Sequence, residues 1–87
     1  MPGEDAFAQA QERVKKLSRS PSSEQLLQLY GLYKQVTSGD VKGNRPGMLD
    51  PVGRAKWDAW AARKGTSGDE AKRLYAGLVG ELEKSIG

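Results

Sequence analysis

The chain of 87 residues contains no cysteine and no histidine. Without cysteine there are no disulfide staples, no thiolate nucleophile and no cysteine-based zinc site. Without histidine the commonest general acid–base group is missing, together with the nucleophile–base pairs that depend on it. No run approaches the roughly 20 apolar residues needed to span a bilayer. Strand-like alternation, internal repeats and low-complexity tracts are lacking as well. The first residues, "MPGEDAFAQAQERVKK", carry acids where a secretory leader needs positive charge and offer no apolar stretch. The expected compartment is therefore cytoplasmic. No paired-carboxylate motif stands out, so catalysis is the least expected class and binding the favoured one.

What is present fits a small globular chain. Hydrophobic residues make up 37% and charged residues 29%, too apolar for simple disorder and too polar for a membrane protein. One domain over residues 1–87 is expected, small enough to depend on good packing. The net charge of +3 is unevenly spread. Residues 30–64 hold seven bases (Lys34, Lys42, Arg45, Arg54, Lys56, Arg63, Lys64) against three acids (Asp40, Asp50, Asp58), whereas the remaining seven bases face eight acids. A positive middle favours an anionic partner, although solvated surface charge gives the same count.

Periodicity predicts four helices. Phe7, Ala10, Val14 and Leu17 repeat as one buried stripe. Pro21 breaks it, and Ser22 with Gln25 matches a capping box that opens a second helix over about 23–38. Gly39 suits the left-handed position that ends such a helix. Its apolar residues (Leu26, Leu27, Leu29, Tyr30, Leu32, Tyr33, Val36) are too many for one stripe, which suggests contact on two sides. "GDVKGNRPGMLD" then runs about twelve residues without a period, and such loops are often functional. It is also long enough to let consecutive helices lie parallel. Asp50-Pro51 opens helix three, an acid at the N-cap and proline at the first position. That helix is expected to end near Lys64-Gly65. Ser67 and Glu70 give a second capping box before helix four, whose stripe is Ala71, Leu74, Tyr75, Leu78, Val79, Leu82 and Ile86. Gly31, Gly77 and Gly80 lie inside helices, each costing about 1 kcal/mol relative to alanine. Pattern alone leaves open whether they serve close packing.

"LYGLYKQ" puts Tyr30, Tyr33 and Lys34 on one helix face, where a structural helix would use aliphatic residues. Lys56 follows across the loop, so two ammonium groups can reach one anion if helices two and three are parallel. Phenols beside them supply directed donors and rings that stack on a planar base. A ligand with phosphate, purine and hydrocarbon parts uses every one of these features. Taken singly, each residue also has an ordinary place: a tyrosine at the core edge, a solvated lysine, Trp60 in the core. Trp57 stays open between core and site. Two rival readings also remain. One is a nucleic-acid binder, which lacks a recognisable module. The other is a helical adaptor docking a protein through helix two.

The stretch "LYKQVTSGDVKGNRPGMLDPVGRAKWDAWAARKGTSGDEAKRLY" resembles the acyl-CoA-binding protein family. "YGLYKQ", "GD", "RPGMLD", "KWDAW" and "KGTS" occur in that family's order and spacing, and the likeness runs from Phe7 to the last helix. The resemblance implies an all-α, four-helix up-down-down-up fold whose long loop crosses between parallel helices two and three. It implies non-catalytic binding, transport and buffering of medium- to long-chain acyl-CoA, without turnover, cofactor or metal. By the same resemblance the ligand-binding residues are Tyr30, Tyr33, Tyr75, Lys34 and Lys56, with Lys15 as a further contact and Leu27 along the acyl path. Phe7, Val14, Leu17, Tyr75, Val79 and Leu82 would form the seam of the first and last helices. A monomer is expected, with no nucleic acid, no stable membrane insertion and at most transient contact with acyl-CoA-using enzymes. Ser20 and Val52 stand where relatives often carry lysine, which should weaken steering without abolishing binding. Leu26 and Ser20 alter surfaces near the acyl end. Gln11, Ala76, Gly77 and Gly80 predict a less stable bundle.

Overall fold

The computed structural model describes the backbone of residues 2–86 and the side chains of residues 6–86. Four helices follow one another: α1 (Pro2–Lys15), α2 (Ser23–Ser38), α3 (Pro51–Ala61) and α4 (Gly68–Ile86). Their starts obey local chemistry. Ser22 Oγ accepts from the Gln25 N–H at 3.1 Å, and the Gln25 side chain accepts from the Ser22 N–H at 2.9 Å, a complete capping box. Asp50 caps α3 by accepting from the Gly53 N–H, and Pro51 fills the first position, where its missing N–H costs nothing. At α4 the Ser67 hydroxyl accepts from the Glu70 N–H, while the Glu70 carboxylate pairs with Arg73.

The helix ends bring two refinements. Gly39 takes φ 79° with ψ −153°, a mirror-image extended conformation rather than the left-handed helical one expected for it. Only glycine adopts that region readily, so its role as a stop remains. Helix α3 ends at Ala61, short of the expected Lys64. The chain tightens there into three-residue hydrogen bonds, Arg63 N–H to Trp60 O and Lys64 N–H to Ala61 O, before Gly65 turns at φ 90°.

Cross-contacts give the directions. Phe7 meets Tyr75, Arg13 meets Glu83 and Ser18 meets Ile86, numbers rising together, so α1 and α4 are parallel. Leu26 and Leu27 face Pro51 and Val52, Tyr30 faces Lys56, and Gly39 faces Trp60, so α2 and α3 are parallel too. Gln35 reaches Thr66 just before α4, whereas Tyr33 lies near Tyr75 further along, which makes α2 and α4 antiparallel. The order is up, down, down, up.

Packing runs α1 on α4, α4 on α2 and α2 on α3, and the described backbones of α1 and α2 do not approach to packing distance. The result is a row of helices only 14 Å thick between Cα extremes, against 36 and 29 Å along the other axes. Phe7, Ala10, Leu29, Leu32, Ala71, Tyr75, Val79 and Leu82 form the core, with Val14, Leu17, Val36, Ala76, Leu78 and Ile86 packed at its margin. Leu74, counted in the α4 stripe, is instead exposed. The broad apolar surface of α2 is used on two sides, by α3 and by α4.

Candidate functional site

The site begins with how closely α2 and α3 approach. A Cβ built on Gly31 would lie 2.3 Å from the Ala59 carbonyl oxygen, so a residue without a side chain is what permits this crossing. The parallel helices then stand in register. Tyr30 and Lys34 are one turn apart on α2, as Lys56 and Trp60 are on α3. Lys56 Nζ lies 5.5 Å from the Tyr30 ring centroid, and Lys34 Nζ lies 4.8 Å from that of Trp60. Each ammonium thus rests on an aromatic face of the opposite helix. Both contacts lie along the one α2–α3 seam, and the residues that make them are one helical turn apart on each helix.

Because α1 and α2 stay apart over α4, a groove of about 710 Å³ opens between them. Tyr30, Tyr33 and Tyr75 line it, with Lys15, Gln11 and Arg19 among the polar residues of its wall. Tyr75 is 6% exposed and packs edge-on against Phe7, ring centroids 5.1 Å apart. Phe7 also stacks on Tyr33 at 6.3 Å, so one phenylalanine orients two of the three phenols. Burial, aided by the nearby Tyr33, pushes the Tyr75 hydroxyl above its ordinary pKa and keeps it a protonated donor at neutral pH.

A second pocket of about 410 Å³ lies between the first turns of α2 and α3. Leu26, Leu27, Pro51, Val52 and Ala55 make it apolar, and Tyr30 and Lys56 stand at its side. Leu26 and Tyr30 belong to both walls, so groove and pocket adjoin.

Of the residues singled out from sequence, Lys15, Tyr30, Tyr33 and Tyr75 come together in the groove, and Leu27 and Lys56 in the pocket. Lys34 lines neither cavity; it stands on the same seam over Trp60. Lys15 is exposed and reaches Glu12 at 3.3 Å. Trp60 is half-buried rather than a core residue, and its indole N–H donates to the Gly39 carbonyl at 2.7 Å.

Sequence reasoning missed the polar ties that hold the crossover loop beside this seam. Arg45 makes two hydrogen bonds to Asp58, at 2.8 and 2.7 Å, fastening the loop to α3. Gln35, 2% exposed, donates to Asp40 Oδ1 at 2.7 Å and to the Thr66 carbonyl at 2.8 Å. Asp40 Oδ1 also accepts from the Gly65 N–H. Those bonds, from the Gly65 amide first and Gln35 second, hold the Asp40 carboxyl below its ordinary range. A glutamine three residues after Leu32 on a leucine-rich face was the available signal, since a buried amide requires partners. The loop carboxylate had no periodic pattern to mark it.

Comparison with known proteins agrees with the geometry. The family model described as "Acyl CoA binding protein" matches residues 4–79. The acyl-CoA-binding protein of Brassica napus is 55% identical over 76 residues, covering 87% of this chain and 83% of that one. Acyl-CoA-binding protein homolog 1 of Caenorhabditis elegans is 46% identical over 82 residues, covering 94% and 95%. Among solved structures, the crystal structure of Oryza sativa acyl-CoA-binding protein 2 superposes with a TM-score of 0.91 at 41% identity, covering 98% of this chain and 92% of that chain.

Proposed function

From the premise that this chain belongs to the acyl-CoA-binding protein family, we infer that it binds medium- to long-chain acyl-CoA thioesters without turning them over, and so carries and buffers them. The observation that supports this best is the shared wall. A groove with three phenols and basic residues meets an apolar pocket at Leu26 and Tyr30, which suits one ligand with an anionic nucleotide and a hydrocarbon tail.

Labour divides by chemistry. Lys34 and Lys56 supply charge-assisted hydrogen bonds to phosphate oxygens, and Lys15 adds a cation on the opposite bank. Tyr30 and Tyr33 offer ring faces to the purine, and the protonated Tyr75 hydroxyl offers a donor. Leu27 and its neighbours shelter the first methylenes, each worth about 0.8 kcal/mol when buried. Cation–π contact with Trp60 and Tyr30 holds both ammonium groups near the seam before ligand arrives, which lowers the ordering cost of binding. On this reading the protein is a single non-catalytic domain that acts in the cytoplasm as a monomer. It uses no cofactor or metal and meets acyl-CoA-using enzymes transiently.

Calorimetric titration with free CoA, octanoyl-CoA, palmitoyl-CoA and palmitate tests the scheme. Affinity should rise with chain length until the pocket is full, and palmitate alone should bind poorly for want of an anchored head group. Equal affinity for all four ligands would refute it, as would hydrolysis of the thioester during the titration.

A further inference from the structure

The crossover loop turns at Gly47–Asp50, closed by the Asp50 N–H donating to the Gly47 carbonyl at 3.0 Å. At the tip of that turn stand two large apolar side chains, Met48 at 83% exposure and Leu49 at 100%. Val52, 65% exposed, follows within the first turn of α3 and joins them to the mouth of the apolar pocket, where Leu26 is also exposed. The core makes no use of this patch. A loop needs no such residues for its own folding, since fully exposed Leu and Met contribute nothing to burial.

The segment that carries the patch is basic. Residues 41–56 contain four bases, Lys42, Arg45, Arg54 and Lys56, against one acid, Asp50. Asp50 is committed to capping α3, Arg45 is spent on Asp58 and Lys56 lies over the Tyr30 ring, which leaves Lys42 and Arg54 flanking the turn in the sequence. Apolar residues on a convex turn flanked by bases match a lipid surface, where the side chains enter the acyl boundary while the bases meet anionic head groups. A protein partner fits less well, because binding hot spots favour Trp, Tyr and Arg in concave, well-packed surroundings over Leu on a protruding tip.

We propose that the Met48–Leu49 turn is a membrane-contact point through which the protein docks reversibly on anionic lipid surfaces. The contact is peripheral: among the described residues no helix is long and apolar enough to cross a membrane. Docking by this turn brings the mouth of the apolar pocket against the bilayer, where amphiphilic ligands reside.

Vesicle sedimentation tests this with the whole chain and no thioester present, so its outcome is independent of the acyl-CoA reading. The protein should co-sediment with phosphatidylcholine–phosphatidylserine vesicles and far less with phosphatidylcholine alone. Met48→Ser with Leu49→Ser should weaken that binding about tenfold or more, and Lys42→Glu with Arg54→Glu should weaken it while added salt does the same. Because the chain has no cysteine, a polarity-sensitive dye on Leu49→Cys labels one position. Its emission should shift to the blue on mixed vesicles, whereas the same dye on Ala8→Cys, on the outer face of α1, should not. No sedimentation with either vesicle, equal binding to neutral vesicles, no effect of the serine pair, or an equal shift at Ala8 would each overturn the proposal.

Discussion

Lys34 and Lys56 each rest on the ring of the opposite helix, a pairing that governs how their loss should be felt. Removing Lys34 takes away a phosphate donor and also bares one face of Trp60, but it leaves the α2–α3 approach intact, because that approach depends on the bare backbone at Gly31. Lys34→Ala should therefore weaken palmitoyl-CoA binding by about 1.5–3 kcal/mol, the scale of a hydrogen bond to a charged group, with little change in melting temperature. Calorimetry and a thermal melt on the same variant separate the two quantities. Unchanged affinity would mean that the ammonium serves only the Trp60 ring. Tyr75 acts differently, since it is both a groove residue and a buried one. Its raised pKa means that the folded state holds the phenolic proton more tightly than the unfolded chain does. The associated stability is complete below the ordinary tyrosine pKa of about 10 and is lost as pH rises through the higher folded value. Urea midpoints should accordingly fall at alkaline pH, and Tyr75→Phe should flatten that fall.

At the scale of the helices, glycine in a helix has opposite consequences depending on what faces it. Beyond their own stretch of helix backbone, Gly77 and Gly80 have no heavy atom within 4 Å of where a Cβ would stand, so Gly77→Ala and Gly80→Ala should each stabilise by about 1 kcal/mol through propensity alone. In a domain of this size that corresponds to a melting-temperature rise of about 4–8 °C per substitution. Gly31→Ala should instead destabilise, by about 1–3 kcal/mol, because the new methyl meets the Ala59 carbonyl and must push α3 aside. Trp60 fluorescence should change as its contact with Lys34 is lost, whereas Gly77→Ala should leave it alone. Pattern could not distinguish the three glycines. Their difference lies in which neighbour passes opposite, a property of assembly and not of local preference. The helices themselves were legible for the converse reason: the Ser22–Gln25 capping box, the Asp50-Pro51 start and the α4 stripe are local signals, and the caps and most of that stripe sit where periodicity put them. Leu74 and the early end of α3 escaped, one through the width of the apolar arc and the other through a tightened last turn. Tyr30, Tyr33 and Lys34 showed as a cluster because their i, i+3, i+4 spacing is readable. The Met48–Leu49 tip and the Arg45–Asp58 tie lie in an aperiodic loop, where side-chain direction has no sequence signature.

For the whole molecule, the decisive fact is that a row of helices 14 Å thick has little interior, so charged ties must fasten what hydrophobic contact does not. Among the described residues such ties join separate parts: Arg13 to Glu83 between α1 and α4, Arg45 to Asp58 between loop and α3, and Asp40 between the end of α2 and the turn before α4. In each, hydrogen bonding holds the carboxyl below its ordinary pKa, from Arg13 at Glu83, from Arg45 at Asp58, and from the Gly65 amide and Gln35 at Asp40. A carboxyl depressed in the folded state contributes stability that is whole above its unfolded pKa, and that contribution declines as pH falls through the lower folded value. The unfolded chain takes up these protons first, so loss should begin near pH ~4 and deepen below it. Asp40 is the informative one to change, because its hydrogen bonds come from a backbone amide and a buried glutamine, and the nearby Lys64 charge is the smallest of the contributions to its lowered pKa. Asp40→Asn should be less stable than the parent at neutral pH and should show a shallower acid decline, the two curves converging at low pH. Urea unfolding across that range, followed by helical circular dichroism, measures both. Parallel curves of unchanged separation would show that the Asp40 tie does not depend on its charge and that the acid sensitivity arises at the two arginine pairs.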